Sequence, residues 1–296
     1  MSTASEQAAI TAEITAFTGV DCSGCEWERV TGGSINKARK LIDQDGRAWF
    51  LKLNKPAFAE SFAAESAGLL ELKRAAEIHI PEPAGHGVTE THAWLLIEWL
   101  DMLSPDRAAD ERFGRALAGM HRITAEQFGW HRDNVIGATP QSNNWSDNWT
   151  AFYSKERLAP QLALAGHNGA PSSLLTAGSQ LLDVVDTFFT ACTPVASLLH
   201  GDLWGGNRSM LADGTPVLFD PAVYFGDRES DLAMTRLFGG FCEAFYAAYE
   251  SAWPLEEGHE SRQDLYMLYH VLNHFNLFGG SYLKQAEQMI RKLLAT

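Results

Sequence analysis

Over the first third of the chain, polar and apolar residues alternate in short runs broken by turn formers; beyond that, apolar residues recur at helical spacing. Ala8 to Thr18 predicts a short amphipathic helix. Glu26-Trp27-Glu28-Arg29-Val30 then leads to a break at Thr31-Gly32-Gly33-Ser34, followed by Lys37 to Asp43, a turn at Gln44-Asp45-Gly46, and Arg47 to Leu53. Three such runs in series predict an antiparallel sheet. Ala59 to Ala76 returns to helical spacing with Glu65 inside it, and Ile80-Pro81-Glu82-Pro83 ends it, because proline cannot continue a helix. Ala93 to Leu100 predicts a buried strand running into a connector. Past Ser104-Pro105 the pattern is mainly helical: Arg112 to His121, Trp149 to Leu164, Leu174 to Thr190, Phe238 to Ala252, and Gln263 to Phe278. With no repeat or long linker, the simplest architecture is α+β: a sheet-rich lobe over residues 1–100 and a larger helical lobe over 101–296.

One stretch carries chemistry. His200-Gly201-Asp202-Leu203-Trp204-Gly205-Gly206-Asn207 is followed thirteen positions after Asn207 by Asp220. Phosphoryl transfer asks little covalent chemistry of a protein and a great deal of charge placement. Protein kinases place an Asp beside the attacking hydroxyl, an Asn on a metal ion five residues later, and a second metal-holding Asp further on. Asp202, Asn207 and Asp220 stand in that order with that first interval. Between them, Ala212-Asp213-Gly214-Thr215 separates two apolar runs and predicts a tight hairpin that returns Asp220 to Asn207. Any one of the three serves equally well as a turn or cap residue; the register of all three points to a kinase.

The sheet-rich lobe supplies matching groups. Gly32-Gly33-Ser34 sits at a strand-to-strand turn, where missing side chains let backbone N–H groups approach a phosphate. Lys52 alternates with apolar neighbours on the third strand, which turns a cation toward a cleft and demands a carboxylate partner. Glu65 on the following helix is the candidate, as in the strand-Lys to helix-Glu pair of kinases. Glu98 and Leu100, at the connector, could offer backbone groups to an adenine edge.

Composition narrows the partners. The chain has 296 residues, 46% hydrophobic and 20% charged, with net charge −14, so it repels polyanions and bare nucleic acid is not an expected partner. Met1 to Val20 lacks a basic start and a continuous apolar stretch, and no run approaches the ~18 apolar residues of a membrane span, so neither a signal peptide nor a membrane is expected. Four scattered cysteines fit reduced thiols and a cytoplasmic location. Cys22-Ser23-Gly24-Cys25 has the interval of zinc and redox sites, but Cys192 and Cys242 form no second pair, which leaves a closed zinc site incomplete. A redox role for the first pair stays open.

The residues resemble the fructosamine kinase or ketosamine-3-kinase family, within the aminoglycoside phosphotransferase and choline kinase branch of the protein-kinase-like fold. The family hallmark is a Trp in the catalytic loop, here Trp204. Further similarity runs through Phe219-Asp220-Pro221-Ala222-Val223-Tyr224-Phe225-Gly226-Asp227-Arg228-Glu229, Asp231-Leu232-Ala233-Met234 and Leu237-Phe238-Gly239-Gly240-Phe241. It continues in Leu268-Tyr269-His270-Val271-Leu272-Asn273-His274 and Leu277-Phe278-Gly279-Gly280-Ser281-Tyr282, and upstream in Phe128-Gly129-Trp130 and Asp133-Asn134-Val135-Ile136-Gly137. The resemblance implies a two-lobed fold and ATP- and Mg2+-dependent phosphorylation of a ketosamine on its 3-hydroxyl, giving an adduct that falls apart and frees the amine. It implies Asp202 as catalytic base or orienter of the hydroxyl, Asn207 and Asp220 as magnesium ligands, and Lys52, fixed by Glu65, on the α- and β-phosphates. It leaves Asp231 structural, holding the catalytic loop. Trp204 is the first candidate for an aromatic wall against the sugar, with Asn273 and His274 reaching it from the C-terminal helix. Some family members carry a cysteine in the glycine loop where this chain has Ser34, which puts thiol control of that loop in doubt.

Other readings remain at this point. His270 and His274 share a helix face as zinc ligands do, but Val271-Leu272-Asn273 between them lacks the Glu of a metalloprotease. A kinase of the same fold acting on an aminoglycoside or choline-like acceptor is the nearest alternative, and a catalytically silent kinase-like binding module the next. Which ketosamine is preferred, whether its amine belongs to a protein lysine or a free metabolite, and the oligomeric state are open.

Overall fold

The alternating runs of the first third pair as a five-stranded antiparallel sheet in the computed structural model, which describes residues 4–31 and 35–295. Helix α1 (Ala4–Thr18) precedes strands β1 (Glu26–Arg29), β2 (Lys37–Ile42) and β3 (Ala48–Asn54); helix α2 (Ala59–Leu72) follows, then β4 (Pro83–Val88) and β5 (Ala93–Glu98). The strand order is β1-β2-β3-β5-β4. The β2–β3 turn forms as its residues dictate: Gly46 takes φ +80°, and the Asp43 carboxylate accepts the N–H groups of Asp45 and Arg47 at 3.0 and 2.8 Å. Strand β4 was not expected after a proline pair. Pro83 stands at its first position on the sheet edge, where no ladder N–H is required.

Each sheet face has its own core. On one side Ile10 and Ile14 of α1 pack with Leu41, Leu51, Leu53, Trp94 and Leu96. On the other, Leu95 and Ile97 join Phe62, Leu69 and Leu72 of α2 in the large core that continues into the helical part. Side chains alternate along a strand. With Leu51 and Leu53 turned to α1, Lys52 faces α2 and the cleft.

The rest of the chain is mainly helical. It runs through α3 (Arg107–His121), the hairpin β6 (Asn134–Ile136) and β7 (Thr139–Gln141), and then α4 (Trp149–Phe152) and α5 (Ala159–His167), joined by a π-helical stretch over Tyr153–Leu158. Next come α6 (Ser172–Leu182), β8 (Ser197–Leu199), the hairpin β9 (Arg208–Met210) and β10 (Pro216–Leu218), and β11 (Tyr224–Gly226). Helices α7 (Glu229–Leu237), α8 (Glu243–Ala252), α9 (His259–Phe278) and α10 (Tyr282–Leu294) close the chain. At the back of the cleft the main chain is stitched across: His79 donates to Pro216 O at 2.8 Å and accepts from Leu218 N at 3.2 Å, and Leu103 exchanges both bonds with Met210.

Several helix limits differ from expectation. Helix α3 starts at Arg107, not Arg112, because the Asp106 carboxylate caps it, accepting the Ala109 N–H at 2.7 Å. The helix expected from Phe238 begins only at Glu243, since Gly239 and Gly240 take φ of +71° and +94°. The one expected from Leu174 to Thr190 breaks after Leu182 and resumes as a 3-10 turn over Val185–Phe189. Helix α7 escaped notice because its polar residues point inward: Glu229, Ser230 and Asp231 are all buried, Glu229 accepting from Nε and Nη2 of Arg262, both at 2.8 Å. Among the described residues no helix is long and apolar enough to cross a membrane. All four cysteines are free, and burial pushes the Cys22 thiol up to about 12 and that of Cys25 upward.

Helices α3 and α8 approach closely, and a Cβ added at Gly114 would overlap the Phe245 carbonyl oxygen. Alanine favours a helix over glycine by about 1 kcal/mol, whereas overpacking against a fixed carbonyl costs about 1–3 kcal/mol. Gly114→Ala is therefore expected to lower the urea-unfolding midpoint. A raised midpoint would show that α3 and α8 part freely.

Candidate active site

The loop after β8 is shaped by a buried acceptor. Asp231 on α7 takes the N–H groups of His200 and Gly201 at 2.8 and 2.9 Å and bonds His121 Nε2 at 3.2 Å. Burial alone would raise its pKa, but these bonds and the histidines hold its carboxyl below the ordinary value. Gly201 has φ +82°, and a Cβ there would overlap the Ala222 carbonyl, so the loop packs on the segment after Asp220 only with glycine. His200, kept neutral by burial, donates Nε2–H to Phe219 O at 2.9 Å and accepts the Asp202 N–H on Nδ1 at 3.3 Å. It thereby fixes the loop to the end of β10.

The β9–β10 hairpin then brings the expected trio together. Phe219 N–H bonds Asn207 O at 3.2 Å, and Asn207 Nδ2 donates to Asp202 O, Asp202 Oδ2 and Asp220 O at 2.9, 3.2 and 3.4 Å. Asn207 Oδ1 is turned away from these bonds. Asp220 has φ +56°, the only left-handed residue other than glycine among those described. Its Oδ1 accepts from Lys52 Nζ at 2.5 Å, and Glu65 Oε1 accepts from the same ammonium at 2.5 Å. Burial opposes the charge on Lys52, yet Asp220 and Glu65 hold its pKa above the ordinary value. Asp202 is pushed up to about 7, first by burial and then by the negative charge of Asp220.

Two carboxylates, Asp220 and Glu65, thus hold one ammonium, and a third, Asp202, lies close enough to Asp220 to feel its charge, an excess of negative charge suited to a divalent cation. Among the described residues no three His, Cys, Asp or Glu side chains gather closely enough to hold a metal alone. A hard cation could use Asn207 Oδ1 and the second Asp220 oxygen, with phosphate and water oxygens completing its shell. The Asp220 side chain is 46% exposed and open to such a ligand.

These residues line a cleft of about 490 Å³ between the sheet and the helices. Gly32, Gly33 and Ser34 lie outside the described residues; Thr31 and Ile35 on either side line the cleft. Glu98 and Leu100 line its mouth with Trp99 and Met102. The Glu98 carboxylate is turned to Glu82 N–H and His79 Nε2, both at 3.1 Å, and its own N–H bonds Glu82 O at 2.8 Å. Trp204 is 39% exposed, its ring lying over Gly206, where no side chain would fit. His274 lines the cleft and donates Nδ1–H to His270 O at 2.8 Å, which orients its ring. Asn273 also borders the cleft, but its amide is engaged by Gln161 Nε2 at 3.2 Å and Ile136 O at 3.5 Å. Its geometry supports the β6–β7 hairpin.

Sequence reasoning missed two features of the site. One is a buried polar chain behind the cleft: Arg157 donates to Asn143, Asn143 and Gln141 to Asn134, and Asn134 and Gln141 to the Val223 and Ala222 carbonyls. Its polar residues satisfy one another inside, so hydropathy gave no signal. The other is Phe238, whose ring lies 4.7 Å from that of His274 and 6.5 Å from that of Trp204. The following Gly-Gly was the available signal that it stands outside a helix.

Comparison with known proteins places these residues in context. The fructosamine kinase family model matches residues 6–296. A Synechocystis protein named probable ketoamine kinase is 43% identical over 290 residues, covering 96% of each chain. The chloroplastic protein-ribulosamine 3-kinase of Arabidopsis thaliana is 38% identical over 264 residues, 88% of this chain and 80% of that one. A crystal structure from Thermobifida fusca, provisionally assigned as a fructosamine-3-kinase, superposes with TM-score 0.86 at 32% identity over 97% of this chain and 99% of the other. A type I macrolide 2'-phosphotransferase, 14% identical with TM-score 0.63 over 98% of each chain, shares the fold alone. The architecture is that of the protein-kinase-like phosphotransferases.

His270, behind His274, is 3% exposed with no partner for Nδ1 among the described residues, and burial lowers its pKa to about 3. The unfolded chain takes up this proton near pH 6.5, so the neutral ring's contribution is complete above that pH and is lost as pH falls toward 3. His270→Gln is expected to lose less stability than the wild type between pH 7.5 and 5, by about 2 kcal/mol. Parallel slopes in urea titrations at the two pH values would refute this.

Proposed function

The chain belongs to the fructosamine kinase family, and from that premise we propose that it transfers the γ-phosphate of ATP to the 3-hydroxyl of a ketosamine of ribulosamine, erythrulosamine or fructosamine type. The observation that carries this reading is the convergence of Asp202, Asn207, Asp220 and Lys52 in one cleft. The names of the ketoamine and ribulosamine kinases among its relatives support the acceptor class. Decay of the 3-phosphorylated adduct would free the amine and make the activity a deglycation repair.

Bound ATP with magnesium supplies the activated phosphoryl group and neutralises charge as it moves. Asp202 orients the acceptor hydroxyl and takes its proton. Asn207 Oδ1 and the free oxygen of Asp220 hold the cation. Lys52, steadied by Glu65, turns its ammonium to the α- and β-phosphates, and Gly32, Gly33 and Ser34 supply N–H groups to the same phosphates. The main chain from Glu98 to Leu100 meets the adenine edge. Trp204 and His274 form the wall against the sugar, with Asn273 supporting it. The nucleotide lobe spans residues 1–100 and the catalytic lobe 101–296. Free thiols at all four cysteines fit work in the reducing cytoplasm.

An aminoglycoside or choline acceptor has only shared fold in its favour. A silent binding module is disfavoured because none of the four charge-placing residues is missing.

The test is magnesium-dependent ADP release against ribulosamine, erythrulosamine, fructosamine, choline and an aminoglycoside. Turnover confined to ketosamines is expected, abolished by EDTA, with kcat reduced about 10²–10⁴-fold in Asp202→Asn. Turnover on choline or the aminoglycoside alone would overturn the substrate class, and an active Asp202→Asn the assignment of the base.

A further inference from the structure

We infer that Phe238 is a specificity residue of the acceptor subsite, a ring that meets the bound ketosamine and sets its affinity without touching the phosphoryl group. The inference rests on the ketosamine reading above. Phe238 is 40% exposed, beside Trp204 at 39% and Phe278 at 54%. The His274 ring lies among them, 4.7 Å from Phe238 and 5.6 Å from Phe278. Large rings left half in water next to one another cost folding free energy, and such patches mark binding surfaces. This one begins at Trp204, two residues from Asp202, and Trp204, His274 and Phe278 all line the cleft.

The mounting of Phe238 makes its position a property of the catalytic loop. It stands at the end of α7 and is followed by Gly239 and Gly240, both left-handed. A Cβ at Gly205 would press on Gly239 O and Gly240 Cα, so the two glycine segments pack backbone to backbone. Arg208, immediately after Asn207, bonds the Gly240 carbonyl and the Asp110 carboxylate, and its guanidinium lies 3.9 Å from the Phe241 ring centroid. The other Asp110 oxygen accepts the Cys242 N–H at 2.8 Å. Arg208 and Asp110 are only 8% and 4% exposed, so this anchor is fixed while the ring it carries is open to solvent.

A ketosamine presents C–H faces of its sugar chain and a protonated secondary amine. Both are attracted to ring faces, the amine through the ring quadrupole. A neutral sugar lacks the second attraction.

The test is steady-state kinetics on Phe238→Ala and Phe238→Tyr with the best ketosamine. The alanine variant is expected to raise the ketosamine KM about tenfold, with KM for ATP within twofold and kcat within threefold; tyrosine restores the ketosamine KM to within threefold. Because the side chain is 40% exposed, the thermal midpoint should fall only modestly and leave the alanine variant folded under assay conditions. An unchanged ketosamine KM in Phe238→Ala, or a fall in kcat with KM constant, would overturn the inference while leaving the kinase reading intact. Wild-type inactivity on every ketosamine would remove both.

Discussion

One ammonium buried between two carboxylates organises this molecule. Lys52 stands on β3, Glu65 on the following helix α2 and Asp220 beyond β10, so its two ion pairs tie a local pair to an element 168 positions away. Removing Glu65 leaves the buried Lys52 ammonium with the half-exposed Asp220 as its one carboxylate, whereas breaking a fully buried pair costs about 3–5 kcal/mol. Asp220 Oδ1 is held by Lys52 while the Asp220 side chain stays 46% exposed, so the bridge joins the elements without sealing the carboxylate from the cleft.

Around that centre the backbone is held by buried polar groups. Asp231 receives two main-chain N–H groups, His200 ties the loop to Phe219, and the Arg157 to Asn134 chain fixes the carbonyls after Asp220. Left-handed Asp220 persists because its neighbours on both sides are fixed. The reactive side chains can therefore be few, since main chain rigidity aims them.

What was legible in the sequence was local. Asp202, Asn207 and Asp220 could be grouped because a short hairpin with an Asp-Gly turn closes their interval, and the Lys52–Glu65 pair followed from strand alternation and the cost of an unpaired cation. The direct Lys52–Asp220 bond was not legible, because it spans 168 positions and depends on how sheet and helices dock. Helix α7 and the β6–β7 hairpin were not expected as elements for a common reason: they carry buried polar residues, Glu229 against Arg262 and Asn134 against the Val223 carbonyl, which inverts the hydropathy rule. Phe238 was misplaced inside a helix because its apolar neighbours kept the spacing and only the glycine pair broke it. Residues 32–34, where a phosphate loop was expected, fall outside the described chain.

The backbone seams at His79 and Leu103 have a mechanical meaning. Both lie beside the β4–β5 side of the sheet and sew it to the β9–β10 hairpin. The hairpin they hold is the one that leads into Asp220, so the register of Asp220 against Lys52 is set by main-chain bonds on the far side of the cleft as well as by the ion pair itself.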